Sequence, residues 1–519
     1  MSWLSWFGLG ENPVVSTKPE TMSPARDDAQ IALDAGMAEA KAGRHAAAVS
    51  HFEKALEIAP DFAPAHRELG RARLELGDAE AASDSLELAA HFDPRDAWPP
   101  FLLGLIAQRH GEYESAAALY ERALALDTDF VEAHNNLGYL LVNVFERTED
   151  GDAHFGAALR VRPGYRDVLI NQGLADLHSG RRKEAIARFG EILKLEPNCD
   201  EARLNRAIAR LALGRWHEAW DEYEARKKAG PHWIKRPFSY PEWDGVPAPD
   251  KTLLVYAEQG LGDEIMFASC LADALARVGR VVVECSPKLA PLVARGFPQC
   301  LVHGGRQNDT DDWTRNAPPI GLQIGLGSLP RLFRRTASAF PAHQGYLAAD
   351  PAKVEAWRAK LAALGPRKKI ALSWRGGTPQ TRQARRSVPV DSLARALRRI
   401  DADFISLQYG PVDDDIAIFA AAGVTLHHWP EAIVDYDETA ALVCSAELTL
   451  SICTALIHLG GALGRPTWVL VPVFPEWRYG DAGETMPWYP SVRLFRQQHA
   501  GDWQAVLSTV AHELELRIR

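Results

Sequence analysis

Residues 36–60 read GMAEAKAGRHAAAVSHFEKALEIAP, and residues 70–94 read GRARLELGDAEAASDSLELAAHFDP. Laid over one another, glycine meets glycine at 36/70 and 43/77, alanine meets alanine at 48/82 and 55/89, and proline meets proline at 60/94. Gly104, Gly111, Ala116 and Ala123 continue the beat, as does Gly138. Small residues at fixed places let two antiparallel helices touch. A proline, which lacks an amide and cannot continue a helix, closes each second helix.

A period of 34 residues in this pattern is that of tetratricopeptide repeats, helix pairs that stack into a solenoid because no pair alone can bury its apolar face. The fourth unit keeps Phe155, Ala158 and Pro163 but is one residue longer, with Glu146 to Gly151 expected as an enlarged turn. A fifth unit has Gly173, Gly180, Ala185, Phe189 and Pro197, and a last partial one has Ala207, Gly214, Ala219 and Tyr223. The expectation is five repeats plus a capping unit over 29–230, an α-solenoid of the kind that holds another protein chain.

The 519-residue chain has room for three or four domains, and its 47% apolar fraction suffices for packed cores. No apolar run approaches the length of about 20 residues needed to span a bilayer, so no stable membrane insertion is expected. Residues 1–10 (MSWLSWFGLG) are apolar but lack a basic start and a small-residue cleavage site, so they do not read as a signal peptide. Together with the Pro- and Ser-containing stretch after them they are expected to form a flexible segment, 1–28. The six cysteines never form C-x-x-C, which indicates neither a zinc site nor a disulfide framework and suits a cytoplasmic protein. Residues 1–230 carry 27 Lys+Arg against 38 Asp+Glu, the remainder 31 against 30. Acidity concentrated on the solenoid argues against nucleic acid as the partner.

Beyond residue 230 the period changes. Apolar runs at 252–257, 280–284, 369–374, 403–408, 447–452 and 467–471 are separated mostly by helical stretches at 261–278, 352–364, 389–400 and 454–463. Continuous apolar strands alternating with helices mean parallel sheets covered on both faces. A Pro- and Gly-containing stretch, 341–350, splits them into two sets. Two Rossmann-like lobes are expected, 231–350 and 351–519, with ligands at the carboxyl ends of the strands.

Two strand-to-helix corners carry candidate chemistry. At the first, Ala257-Glu258-Gln259-Gly260-Leu261-Gly262-Asp263-Glu264, the glycines Gly260 and Gly262 permit close backbone approach. Asp263 there is either a carboxylate favoured by the helix dipole or a general base. At the second, Ser451-Ile452-Cys453-Thr454 runs into Ala455-Leu456-Ile457-His458, where the Thr454 hydroxyl and the following amides suit a diphosphate. His458, one turn on, is either a satisfied core histidine or a ligand contact. Between these corners strand 369–374 leads into Arg375 and a loop bearing Arg382, Arg385 and Arg386, matched either to a phosphate or simply to solvent. Trp477-Arg478 and Trp488-Tyr489 read as a binding wall or as packing, and the acidic strings 309–312 and 413–415 as solvated loops.

Segments 240–265 and 446–496 resemble bacterial tetratricopeptide proteins fused to a GT-B glycosyltransferase domain of heptosyltransferase type, more distantly the O-linked N-acetylglucosamine transferases. The resemblance implies a GT-B α/β catalytic half, a nucleotide-sugar donor in the C-terminal lobe, an acceptor towards the N-terminal lobe, and no metal or other cofactor. The family's catalytic base falls on Asp263, and its aspartate–threonine turn and histidine on Cys453, Thr454 and His458, so cysteine stands where the family has aspartate. The donor contacts expected are Gly260, Gly262, Arg375, Arg386, Gln408, Thr454 and His458. The activity implied is transfer of a sugar to Ser or Thr of a protein held by the repeats, a flagellin or another surface protein; the alternative is a non-catalytic scaffold.

Overall fold

The computed structural model describes residues 24–229, 236, 238–305, 310–377 and 386–518. The expected flexible segment therefore lies largely outside the described residues, as do residues 1–10. The chain divides into two compact units, Met1–Pro197 and Asn198–Arg519. No helix among the described residues is long and apolar enough to cross a membrane.

The first unit is five antiparallel helix pairs: α1 (Pro24–Lys41) with α2 (His45–Ile58), α3 (Ala63–Glu75) with α4 (Ala79–Phe92), and α5 (Trp98–His110) with α6 (Tyr113–Leu126). Pairs α7 (Val131–Asn143) with α8 (Thr148–Val161), and α9 (Arg166–His178) with α10 (Arg182–Leu195), complete it. The glycine beat has a packing cause. A Cβ at Gly36, Gly70, Gly104, Gly138 or Gly173 would sit 2.4–2.8 Å from Phe52, Leu86, Tyr120, Phe155 or Phe189 of the partner helix. Those partners are fully buried, so each pair closes by laying a large side chain over a bare backbone. In the long fourth unit the extra residue falls at 144–147, between the helices. Glu146 turns the chain there at φ 58°, where the neighbouring pairs use glycine. Gly151 is not in that turn, as the sequence reading had it, but inside α8, with its Cα against Val142.

The second unit opens with a sixth pair, α11 (Asp200–Ala212) and α12 (Trp216–Tyr223), followed by two sheets. The first has order β3-β2-β1-β4, all parallel, from β1 (Ala248–Tyr256), β2 (Val278–Cys285), β3 (Leu301–Gly304) and β4 (Leu322–Gly325). Helices α13 (Leu261–Ala268), α14 (Leu271–Leu275), α15 (Ala290–Gly296) and α16 (Leu329–Phe333) accompany it, and α17 (Pro351–Ala362) leads onward. The second sheet joins β5 (Lys368–Ser373), β6 (Ala402–Ser406), β7 (Leu426–His428), β8 (Leu448–Ile452), β9 (Thr467–Val471), β10 (Thr485–Met486) and β11 (Tyr489–Arg496). Its order is β10-β11-β9-β8-β5-β6-β7, parallel except for the β10–β11 edge. Around these strands lie α18 (Val390–Leu397), α19 (Asp413–Ala421), α20 (Glu431–Val434), α21 (Tyr436–Ser445), α22 (Ala455–Ala462) and α23 (Gln504–Ile518). The six apolar runs become β1, β2, β5, β6, β8 and β9. Outside those runs lie β3, β4 and β7, each three or four residues long, two-residue β10, and β11, whose YPSVRLFR alternates and contains a proline.

Strand order reverses once in each sheet, between β1 and β4 in the first and between β5 and β8 in the second. Neighbouring connections then leave in opposite directions and open a crevice beyond the carboxyl ends of those strands. The motif corners follow β1, β5 and β8.

Candidate functional site

At the first corner Gly260 caps α13 in extended conformation. Asp263, on the first turn of that helix, faces Arg478 from the short turn after β9. The Arg478 Nε donates to Asp263 Oδ1 at 2.6 Å, and its Nη2 reaches the same oxygen. Both side chains are largely enclosed, 16% and 19% exposed. Burial opposes the Arg478 charge, but Asp263, with Tyr223 and Glu476 behind it, outweighs that and holds the guanidinium above its ordinary range. Asp263 Oδ2 takes no hydrogen bond among the described residues. Gln259 is tied to Tyr223, its Nε2 donating to the Tyr223 Oη at 3.0 Å.

The two acids flanking this corner are structural. Glu258 is buried, paired with Arg226 and accepting from the Gly327 amide at 3.1 Å. Glu264 accepts from the Ser286 amide at 2.8 Å, and burial pushes its carboxyl up to about 7.

The second corner meets the first directly. A Cβ at Gly262 would lie 3.0 Å from His458 Cδ2 and 3.7 Å from the Ala455 Cα, so glycine at 262 lets the start of α13 rest on the start of α22. His458 is buried and shares a 3.0 Å hydrogen bond, through Nδ1, with the Tyr489 hydroxyl. Burial first, and the Arg478 charge second, push its imidazole down to about 3, so it is neutral near pH 7. Thr454 caps α22 in extended conformation; its hydroxyl lies 3.3 Å from that of Ser451 and takes no part in capping. The α22 amides beyond it are therefore not engaged by its side chain. Cys453 is a core thiol, its Sγ directed at the Leu470 carbonyl and its ionisation pushed up to about 12 by burial.

Two described residues after β5, Gly376 and Arg386, also meet the second corner. A Cβ at Gly376 would stand 2.5 Å from Ile452 Cδ1 and 2.6 Å from Thr454 Cγ2, so this backbone passes against the Thr454 turn. Arg386 donates from Nη2 to the Cys453 carbonyl at 2.5 Å, and its Nε is buried with no partner among the described residues. Arg375 is held instead by Asp415 at 2.9 Å and by the Pro411 carbonyl. Asp415 is thus a buried member of α19, not a solvated acid as read from the sequence, and it also accepts from Trp374 Nε1. Gln408 joins two strand ends, its Oε1 accepting from the amides of Trp374 and Arg375 and its Nε2 donating to the carbonyls of Arg375 and Tyr409. Arg382, Arg385 and Asp309 lie outside the described residues.

One crevice therefore gathers Gly262, Asp263, Thr454 and His458, with Arg386 at the Thr454 turn, while Gln408 and Arg375 brace one wall. Arg478 is the member the sequence left among aromatic packing. Its only signal was a lone arginine between Trp477 and Tyr479, 215 residues from its partner. The tryptophans around it do pack: Trp477 and Trp488 are buried, with ring centroids 5.9 Å and 6.4 Å from that of Trp220. Among the described residues no group of three or more His, Cys, Asp or Glu is arranged to hold a metal ion.

Tetratricopeptide-repeat models match residues 39–98, 109–144 and 170–232. The solenoid, a protein-binding architecture, is thereby identified. Protein FlbA of Caulobacter vibrioides is 30% identical over 505 residues, covering 92% of this chain and 83% of that protein. Superkiller complex protein 3 of Mus musculus is 31% identical over 106 residues, 20% of this chain but 7% of that protein. Among solved structures, a thermophilic TPR protein of Thermus thermophilus covers 35% of this chain and 99% of its own at 22% identity, with a TM-score of 0.30. Pseudomonas aeruginosa pilF covers 39% and 89% at 16% identity, with a TM-score of 0.35.

Proposed function

We propose that this chain, which belongs to the same family as Caulobacter protein FlbA, is a GT-B glycosyltransferase acting on a protein held by its tetratricopeptide repeats. The observation that carries this reading is the meeting of two helix starts at two strand-order reversals, with a carboxylate on the first turn of α13 that has one oxygen clamped by Arg478 and the other without a hydrogen bond among the described residues. In this reading the diphosphate of a nucleotide-sugar lies at the start of α22, against its free amides and Arg386, where both the helix dipole and the guanidinium favour negative charge. Asp263 Oδ2 removes the proton of an acceptor Ser or Thr hydroxyl. The freed Ser or Thr oxygen bonds to the anomeric carbon as the bond from carbon to diphosphate breaks, the proton stays on Asp263, and the nucleoside diphosphate leaves. Arg478 fixes the carboxylate, and neutral His458 lines the crevice without adding charge. The solenoid, as the protein-holding part, raises the effective concentration of the acceptor, a flagellin or another surface protein. The setting is cytoplasmic.

Thermal-shift screening of the full chain with a panel of nucleotide-sugars, followed by donor-hydrolysis assays, tests the reading. Stabilisation by one donor and its slow hydrolysis are expected, with transfer to protein lost when residues 1–197 are removed. If no nucleotide-sugar stabilises the chain, the donor site falls. One observation favours a second reading: the thiol at Cys453 is turned into the core, so this turn offers the sugar no carboxylate. Donor binding without hydrolysis or transfer would make the protein a scaffold.

A further inference from the structure

At the opposite end of β1 from this crevice lies a separate basin of about 560 Å³. Its lining is Asp244, Gly245, Val246 and Pro247 before β1, Arg277 before β2, and Arg331, Leu332 and Arg335 in and after α16. Nine residues of β1 separate the two places, roughly 25 Å at about 3.3 Å per residue. Nothing in the crevice chemistry uses this basin.

Its charge is unbalanced. Arg335 is neutralised, forking onto Asp221 with Nη2 at 2.6 Å and Nη1 at 3.1 Å. Arg277 makes no ion pair among the described residues. Its Nη1 donates to the Gly245 carbonyl at 3.0 Å, and its guanidinium lies over the Phe333 ring at 5.1 Å. Arg331 has no ion pair among them either, and its Nε is buried with no partner among the described residues. The acid in the lining, Asp244, spends one oxygen on the Val246 amide at 2.9 Å and pairs with none of the three arginines. Two unpaired guanidiniums are thus held at one concave surface. Backbone bonding and a cation–π contact with Phe333 keep Arg277 in place, and Arg331 stands on α16.

We propose that this basin binds a small phosphate-bearing molecule. Guanidinium forks match phosphate oxygens in pairs, and one phosphate dianion balances two unpaired arginines where a carboxylate would balance only one. The volume falls within the few hundred Å³ usual for small-ligand sites, and Leu332, Val246 and Pro247 give the body of such a ligand apolar contact. Because the basin lies at the amino ends of β1 and β2, its ligand binds apart from the candidate site.

The test titrates inorganic pyrophosphate into the full chain by calorimetry at fixed salt, since screening weakens such contacts. Arg277→Gln with Arg331→Gln should weaken one binding component at least tenfold. So should Val246→Glu, which adds a repelling carboxylate at a position 61% exposed and leaves every arginine in place. Arg386→Ala, in the crevice, should spare that component and remove only pyrophosphate bound at α22. If the double variant fails to fold, the Val246 variant decides alone. The proposal is overturned if pyrophosphate does not bind, or if its binding survives both basin changes.

Discussion

Changing Asp263 to asparagine separates a catalytic carboxylate from a structural one. Asparagine keeps the size of the side chain and an oxygen for the Arg478 Nε, 2.6 Å away in the native pair, but it has no basic oxygen to take a proton. Loss of a general base lowers turnover by roughly 10²–10⁴. At about 1.4 kcal/mol per decade this raises the barrier by roughly 3–5 kcal/mol. The stability effect is smaller. Breaking a fully buried ion pair costs about 3–5 kcal/mol, but the Asp263 and Arg478 side chains retain 16% and 19% of their exposure. With solvent access and one hydrogen bond kept, about 1–2 kcal/mol is expected. At about 2–4 °C per kcal/mol for a domain of 150–250 residues, and less for a unit as long as Asn198–Arg519, the melting midpoint falls by only a few degrees. The assay is single-turnover transfer with saturating donor, beside nucleotide affinity by calorimetry. Turnover down at least a hundredfold with affinity within about twofold is expected. Near-native turnover with the same drop in midpoint would make Asp263 a helix-start carboxylate braced by arginine and not a base.

Thr454→Ala combined with Arg386→Ala should weaken nucleoside diphosphate binding at least tenfold, about 1.4 kcal/mol, and an unchanged calorimetric constant would remove the α22 turn from the donor site. His458 titrates at about 3 when folded against an ordinary 6.5, so between those values acid protonates the unfolded chain first and stability falls as pH drops. Glu264, raised to about 7 from 4.5, runs the other way, losing stability as pH rises through that window. Relative to the native chain, urea midpoints of His458→Gln should therefore improve steadily from pH 6.5 to 4.5 and those of Glu264→Gln from pH 4.5 to 7; parallel curves would contradict the assigned burial effects. Gly104→Ala puts a Cβ 2.6 Å from Tyr120, whose hydroxyl is anchored on Gln108 at 2.7 Å. Overpacking of about 1–3 kcal/mol, less about 1 kcal/mol of helix propensity, should speed amide exchange in α5 and α6, and native-like protection would contradict the packing argument.

The solenoid was legible in the chain because its determinants are local. The glycine of one helix meets the large residue of the next sixteen positions on, as in Gly36 with Phe52 and Gly104 with Tyr120, and the closing prolines stand two residues past the helix ends. The buried strands were legible for the same reason, since β5, β8 and β9 lie in mainly apolar stretches. Short β3, β4 and β7 carry too few residues for a period, and β11 alternates because it lies near a sheet edge. The corners at Gly262 and Thr454 could be marked in advance, but their meeting could not. That contact depends on how two sheets pack, and it required both a bare backbone at 262 and His458 turned towards it. Electrostatics was decided later still. Asp263 gains Arg478 from 215 residues away, and Gln408 spends its amide on strand ends. Asp415, on the first turn of α19, goes inward to Trp374 and Arg375 instead of to water. A charged side chain's role depends on who stands opposite when water is excluded, and sequence spacing specifies that only within a helix turn or a strand pair.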